Sequence, residues 1–210
     1  MTTESKLVIK DWIAWLIANF LGYALWFGLC AFPLVVTGDR DSDSTVLLFL
    51  SSQAAIVGLA QWYVIREHLR QAGWWVLATA IGWPVGLWIG ITFMNKGSIV
   101  GGSASIVWIA IGITLGLTQW LVLWNKVWHA EAWILVSIAL WGASGLLGDK
   151  TTELINGSSL SVTSSASLAG ILTTWASAEC TRGLALMWLL RKPATTKARA
   201  HVISSSVQSQ

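Results

Sequence analysis

The 210-residue sequence predicts an all-α membrane protein, with six transmembrane helices arranged as three tandem helical hairpins related by parallel pseudo-symmetry. Three observations lead there. Only 11% of the residues are charged and 55% are hydrophobic, against about 25% charged in a soluble domain, so a water-facing surface cannot be covered. The apolar residues also gather into six blocks, each near the roughly 20 residues of helix that cross a bilayer. Finally, Gly58-Leu59-Ala60-Gln61-Trp62 returns as Gly116-Leu117-Thr118-Gln119-Trp120, late in two of those blocks.

The blocks run over residues 12–36, 45–65, 74–94, 104–124, 130–148 and 167–190. They are continuous and do not alternate every second residue, which predicts helices and not barrel strands. The first is too long for the apolar part of a cleavable signal peptide, about 7–15 residues, and has no small-x-small cleavage site. Asp39-Arg40-Asp41-Ser42-Asp43, after it, reads as a solvated acidic turn; its carboxylates lack the spacing of a calcium loop. The fifth block is the shortest and carries Glu131, which makes it the weakest span on sequence. Residues 1–192 therefore read as one six-span transmembrane domain, with hairpin repeats over about 11–66, 74–125 and 131–191. Residues 193–210, rich in Ser, Thr and Ala with Lys197 and Arg199, read as a disordered basic tail.

Aligning Gly58 with Gly116 brings Val64 onto Val122, Ala72 onto Ala130, Trp75 onto Trp133 and Trp83 onto Trp141 without gaps. A fainter third copy is Gly183-Leu184-Ala185-Leu186-Met187-Trp188, with Arg191 at the position of Arg66. The first span fits less well, with Trp12 on Trp75. Each hairpin enters and returns through the same side, so the copies are parallel, about an axis along the membrane normal. Gly82, Gly86 and Gly90, then Gly112 and Gly116, then Ala54 and Gly58, recur every fourth residue. Gly142, Gly145 and Gly148 recur every third, and all predict faces where another helix backbone comes close.

Nine Lys and Arg (Lys6, Lys10, Arg66, Arg70, Lys126, Arg191, Lys192, Lys197 and Arg199) fall on one side, against Arg40, Lys96 and Lys150 on the other. That bias predicts both termini in the cytoplasm. It also accounts for the net charge of +3 and the pI near 9.1, so no nucleic-acid partner is implied: a basic surface with interleaved polar and aromatic contacts is missing.

Gln61 and Gln119 share a helix face with the small residues Ala54, Gly58, Gly112 and Gly116, which turns both carboxamides toward the bundle. Glu179 and Arg182 stand one turn apart near the middle of the sixth span, where an unpaired charge costs on the order of 3 kcal/mol. Their spacing allows an ion pair, and two readings of it stay open: a functional centre, or a self-neutralised pair that positions the span. Of the 16 tryptophans, most follow the membrane boundary. Trp83 and Trp141 lie deeper, where an indole N–H needs an acceptor on another helix or a ligand.

The sequence carries no metal-type spacing, phosphate loop or nucleophile elbow. His68, His129 and His201 do not coincide under the repeat alignment, so axial ligation of haem or chlorophyll by a membrane histidine is unsupported, and no cofactor is identified. Cys30 and Cys180 read as small buried apolar side chains. The repeated Gly-Leu-x-Gln-Trp segments, followed by Ala-x-x-Trp-Trp, resemble a group of tryptophan-rich multi-span bacterial membrane proteins without an assigned function. The resemblance spans roughly residues 55–145 and implies a bacterial inner or internal membrane, with no mechanism attached.

The leading expectation is a non-enzymatic integral membrane protein, an accessory or scaffold subunit or the holder of a hydrophobic ligand such as a lipid, isoprenoid or pigment. Its partners would be the bilayer, a membrane-protein partner or a second copy. The alternative is a small channel or transporter with a polar intramembrane centre built from Gln61, Gln119, Glu179 and Arg182, with Trp83 and Trp141 beside it.

Overall fold

The computed structural model describes residues 3–31, 43–95, 105–156 and 165–191. They form six α-helices and no β-strand: α1 (Thr3–Trp26), α2 (Asp43–Ile65), α3 (Trp74–Asn95), α4 (Ser105–Leu123), α5 (Ala132–Asn156) and α6 (Ser165–Leu190). One π-helical turn, Phe27–Ala31, continues α1. Four stretches are long and apolar enough to cross a membrane: Leu7–Leu29, Trp74–Met94, Ser105–Leu123 and Ala132–Leu154. Helices α2 and α6 are as long, 23 and 26 residues; the apolar character of α6 is diluted by Glu179, Arg182 and several Ser and Thr, whereas α2 is more apolar than α1 and the side chains of its residues 43–50 lie outside the described ones. The acidic turn at 39–43 and the tail at 193–210 lie largely or wholly outside the described residues.

Two boundaries differ from the sequence expectation. Helix α1 begins well before Trp12. Helix α5, expected to stop at Gly148, runs on to Asn156. Its extra turns are polar but helix-compatible: Lys150 pairs with Glu153 at 2.5 Å one turn away, and the Thr151 and Thr152 hydroxyls bond back to the carbonyls of Leu147 and Gly148. Reading the end of an apolar run as the end of a helix confuses hydropathy with backbone propensity.

Each helix packs against its neighbours in sequence, and α6 returns to α1, so the bundle closes into a ring; among the described residues no other pair of these six helices brings its backbones close, and contacts across the ring are made by side chains. Neighbours are antiparallel. A Cβ added at Gly82 would approach Leu115, at Gly86 Ile111, and at Gly90 Val107, so α4 climbs as α3 descends. The approach is backbone to backbone: that Cβ would lie 2.6 Å from the Cα of Ile111 or of Val107. Thr114 Oγ1 donates across the same seam to the Gly82 carbonyl at 2.7 Å. The glycine spacing seen in the sequence thus marks helix contacts at α3–α4, and Gly112 and Gly116 mark them at α4–α5, against Ser137 and Ile134.

The α2–α3 and α4–α5 loops, residues 66–73 and 124–131, have the same hydrogen-bond pattern. Amides of His68 and Leu69 bond to the Ile65 carbonyl, as those of Lys126 and Val127 bond to that of Leu123. Gln71 and His129, at equivalent places, both take positive φ, 68° and 55°. The ring is closed at this end by Asp11 of α1, whose Oδ2 lies 3.1 Å from Arg191 Nη2 after α6 and 3.3 Å from His68 Nε2. Trp12 Nε1 adds a bond to the Cys180 carbonyl at 2.9 Å. Cys180, expected to be buried, is only half-buried; the side chain of Cys30 lies outside the described ones.

Large apolar side chains such as Phe20, Leu21, Trp88, Leu121, Leu135 and Trp188 face outward. So continuous an apolar exterior is not tolerated by soluble monomers, and it fits a bilayer.

The tight seam makes a testable distinction between glycines. Gly86→Ala should destabilise the protein by about 1–3 kcal/mol, because the added methyl must push a helix backbone. Gly142→Ala, which meets only the side chain of Ile109, should cost less than about 1 kcal/mol. Reversible unfolding in mixed micelles measures both; equal losses would mean that the backbone seam is not what limits α3–α4 packing.

Candidate functional site

Gln61 and Gln119 are each 1% exposed, and each carboxamide joins three helices. Trp75 Nε1 on α3 donates to Gln61 Oε1 at 2.9 Å, and Gln61 Nε2 donates to Asn19 Oδ1 on α1 at 2.8 Å. In the second copy of the phrase, Trp133 Nε1 on α5 donates to Gln119 Oε1 at 3.2 Å, and Gln119 Nε2 donates to Thr79 Oγ1 on α3 at 3.1 Å. Asn19 and Thr79 are themselves anchored one turn back, Asn19 Nδ2 on the Trp15 carbonyl at 2.8 Å and Thr79 Oγ1 on the Trp75 carbonyl at 2.9 Å. One rule covers both glutamines: accept from the tryptophan of the next odd-numbered helix, donate to a polar side chain of the previous one.

Between the two lies the pair predicted on α6. Arg182 Nη1 donates to Glu179 Oε1 at 3.3 Å, with both groups buried. Arg182 Nη2 donates to Gln119 Oε1 at 2.7 Å, and Gln61 Nε2 stands 3.5 Å from Glu179 Oε2. The amide nitrogen of one glutamine therefore faces the carboxylate and the amide oxygen of the other faces the guanidinium. Each dipole is set against the charge it stabilises. The guanidinium also lies 5.1 Å from the Trp133 ring centroid and 5.5 Å from that of Trp141, within cation–π range. The centre carries one positive and one negative charge and is neutral as a whole.

The third repeat breaks the rule. Its counterpart of Gln61 and Gln119 is Leu186, fully buried. By the same rule a glutamine there would bond to α1 and α5, and on those helices Trp15 Nε1 and Ser137 Oγ are among the buried atoms without a hydrogen bond. The Trp15 indole packs against Gly183, where a Cβ would collide with its Cδ1, and its N–H faces Glu179 short of hydrogen-bond geometry.

On the side away from the loops, Trp83 and Trp141 meet edge to face at 5.3 Å, and Trp108 stacks on Trp141 at 5.4 Å with a 3° interplanar angle. Tyr23 and Trp175 form a second aromatic contact at 4.1 Å. A narrow cavity lies among these groups, lined by Tyr23, Gln53, Gln61, Trp83, Glu179 and Arg182 among others. About 10 Å³ of it is open to the centre of a water molecule, roughly the volume that a single water requires. Toward the loops it is shut by an apolar layer that includes Trp15, Trp75, Trp133, Ile65, Leu123, Leu186 and Met187.

All six residues singled out from sequence thus meet around one centre. Missed were Asn19, Thr79, Trp75 and Trp133 as partners, and Asp11 as the clasp. Asn19 was legible: an amide inside the apolar run Ile17-Ala18-Asn19-Phe20 raises the same question as the glutamines. Thr79 was not, since threonine is common in membrane helices and bonds back to its own backbone. Among the described residues no group of His, Cys, Asp and Glu could hold a metal ion. Compared with known proteins, the chain matches no family model, no curated protein and no solved structure.

Breaking a buried pair leaves one charge uncompensated, whereas removing both partners does not. Arg182→Met alone should therefore cost about 3–5 kcal/mol, and Arg182→Met with Glu179→Gln markedly less. A double-mutant cycle by unfolding in mixed micelles measures the coupling; additive losses would show that the two groups do not act as a pair.

Proposed function

We propose that the chain is a non-enzymatic six-span membrane protein, built of three tandem helical hairpins, whose centre is a site for a small polar solute, as in a small channel or transporter. The observation that carries this reading is the convergence of Gln61, Gln119, Glu179 and Arg182, from three different helices, on one cavity inside the ring. Polar groups at membrane depth are expensive, and a buried ion pair is a poor device for stability alone. Their meeting at a cavity is accounted for if they serve a solute.

The six-span topology draws support from the ring itself. Helices α2 and α6 supply Gln61, Glu179 and Arg182 to the centre, and a bundle lacking either would open that centre to lipid. Parallel duplication draws support from the matched loops and from the matched bonds of Gln61 and Gln119. An even number of spans, with Arg66, Arg70, Lys126 and Arg191 at one end, favours both termini in the cytoplasm. The resemblance to tryptophan-rich bacterial proteins favours a bacterial membrane.

A hydrophobic ligand held among the tryptophans is favoured by a different observation. A groove of about 390 Å³ on the loop side is lined by Trp120, Trp124, Trp128, His129 and Glu131, and drug-sized ligands occupy about 300–1,000 Å³. An amphiphile or a partner subunit would lodge there, at the membrane boundary, and not in the narrow centre.

Purified protein in liposomes tests the first reading. At least one polar solute or ion should cross faster than through protein-free membranes, and the folded double variant Glu179→Gln, Arg182→Met should lose that flux at least tenfold, the effect of about 1.4 kcal/mol. Tight vesicles for every solute, with a lipid or subunit retained in native mass spectrometry and lost on Trp124→Ala, would replace it by the second. Reporter fusions at the two ends should report the same side of the membrane; opposite sides would rule out six spans.

A further inference from the structure

We infer that the central cavity takes a small, electrically neutral molecule bearing a hydrogen-bond-accepting oxygen, of the urea, amide or short-polyol kind. This rests on the reading of the centre as a solute site and narrows it to a chemical class.

Two residues that line the cavity carry a buried N–H without an acceptor in the protein, Arg182 Nε and Trp83 Nε1, and a third such group, Trp141 Nε1, lies on the ring packed behind them. Trp141 packs on both, its ring 5.3 Å from that of Trp83 and 5.5 Å from Arg182 Cζ. Arg182 is 1% exposed and Trp141 is fully buried. Buried polar groups are seldom left unpaired, and here all three are donors. Neighbouring acceptors are already engaged: Gln119 Oε1 receives Trp133 and Arg182, and Glu179 receives Arg182 and faces Gln61. What these N–H groups lack is an acceptor within reach.

Charge then separates neutral molecules from ions. Glu179 and Arg182 offset each other, so an entering anion or cation would leave a net charge at a depth where unpaired ions are strongly disfavoured. A neutral acceptor satisfies the donors and adds none. Size restricts the class to molecules of few heavy atoms: the space suits about one water, and lining side chains must move before anything larger enters. The lining reaches Gln53, Ala54 and Val57 on α2, while the loop side is sealed by the apolar layer.

Full-length protein in liposomes, challenged with osmotic gradients of urea, glycerol or sodium nitrate and followed by stopped-flow light scattering, tests this. Urea or glycerol should re-swell the vesicles several-fold faster than protein-free controls, and nitrate should not. Trp83→Phe and Trp141→Phe keep the ring and lose the donor. Each should lower the added flux about fivefold, the worth of one hydrogen bond, with an unfolding midpoint unchanged or raised because an unpaired buried donor has gone. Trp74→Phe, on an indole 61% exposed outside the ring, should change nothing. Faster nitrate entry would overturn the neutral class and leave the solute site standing. Urea or glycerol flux that survives both phenylalanine variants would overturn the role of the donors. No acceleration for any of the three solutes, or for other ions, would remove the solute site as well.

Discussion

A guanidinium inside a ring of apolar helices has to find every partner within the protein, and the centre of this molecule is arranged around that requirement. Arg182 meets a carboxylate one turn away on its own helix, the amide oxygen of Gln119 from α4, and the indole faces of Trp133 and Trp141 from α5. Glu179 in turn brings in Gln61, which draws on α1 through Asn19 and on α3 through Trp75. All six helices are thereby tied, directly or through one amide, to the same charge. In lipid there is no water to take up a missing bond, so such a network is held together by the cost of every alternative.

Two modes of adhesion divide the ring. From α3 through α5 the helices approach backbone to backbone over glycines, and attraction comes from dispersion and from hydroxyls such as Thr114 reaching a neighbouring carbonyl. The closure of α6 on α1 is different in kind. It uses the Asp11–Arg191 contact, the Trp12 bond to the Cys180 carbonyl, and the Trp15 indole resting on Gly183. The asymmetry follows from the third repeat. With Leu186 in place of a glutamine, the bond that unites the other interfaces is missing, and a charged pair one to two turns deeper stands in for it. A departure from repetition in the sequence thus coincides with the polar centre.

The parts legible in the sequence were those carried by averages and by recurrence. Six helices followed from block lengths, and the glycine faces from their four-residue spacing. Gln61 and Gln119 stood out because their phrase is written twice, Glu179 and Arg182 because charge is rare at such depth. Recurrence also misled by omission: Asn19 occurs once, belongs to no repeated phrase, and was passed over although its bond to Gln61 is among the shortest in the centre. The extension of α5 to Asn156 was hidden for another reason, since hydropathy marks where lipid ends and not where helical hydrogen bonding does.

Chain chemistry alone determined that this is a bundle of long apolar helices with polar groups turned inward, because those are consequences of side-chain period and of what lipid excludes. It could not determine which polar groups meet. Gln61 and Glu179 are far apart in sequence, and only the return of α6 to α1 brings them together at one cavity. Nor could it show that the N–H groups of Trp83, Trp141 and Arg182 are left unpaired beside one another, because pairing depends on the ångström-scale positions of acceptors contributed by other helices. Period and composition act locally along the chain, whereas the satisfaction of a buried donor is settled by the packing of the whole ring.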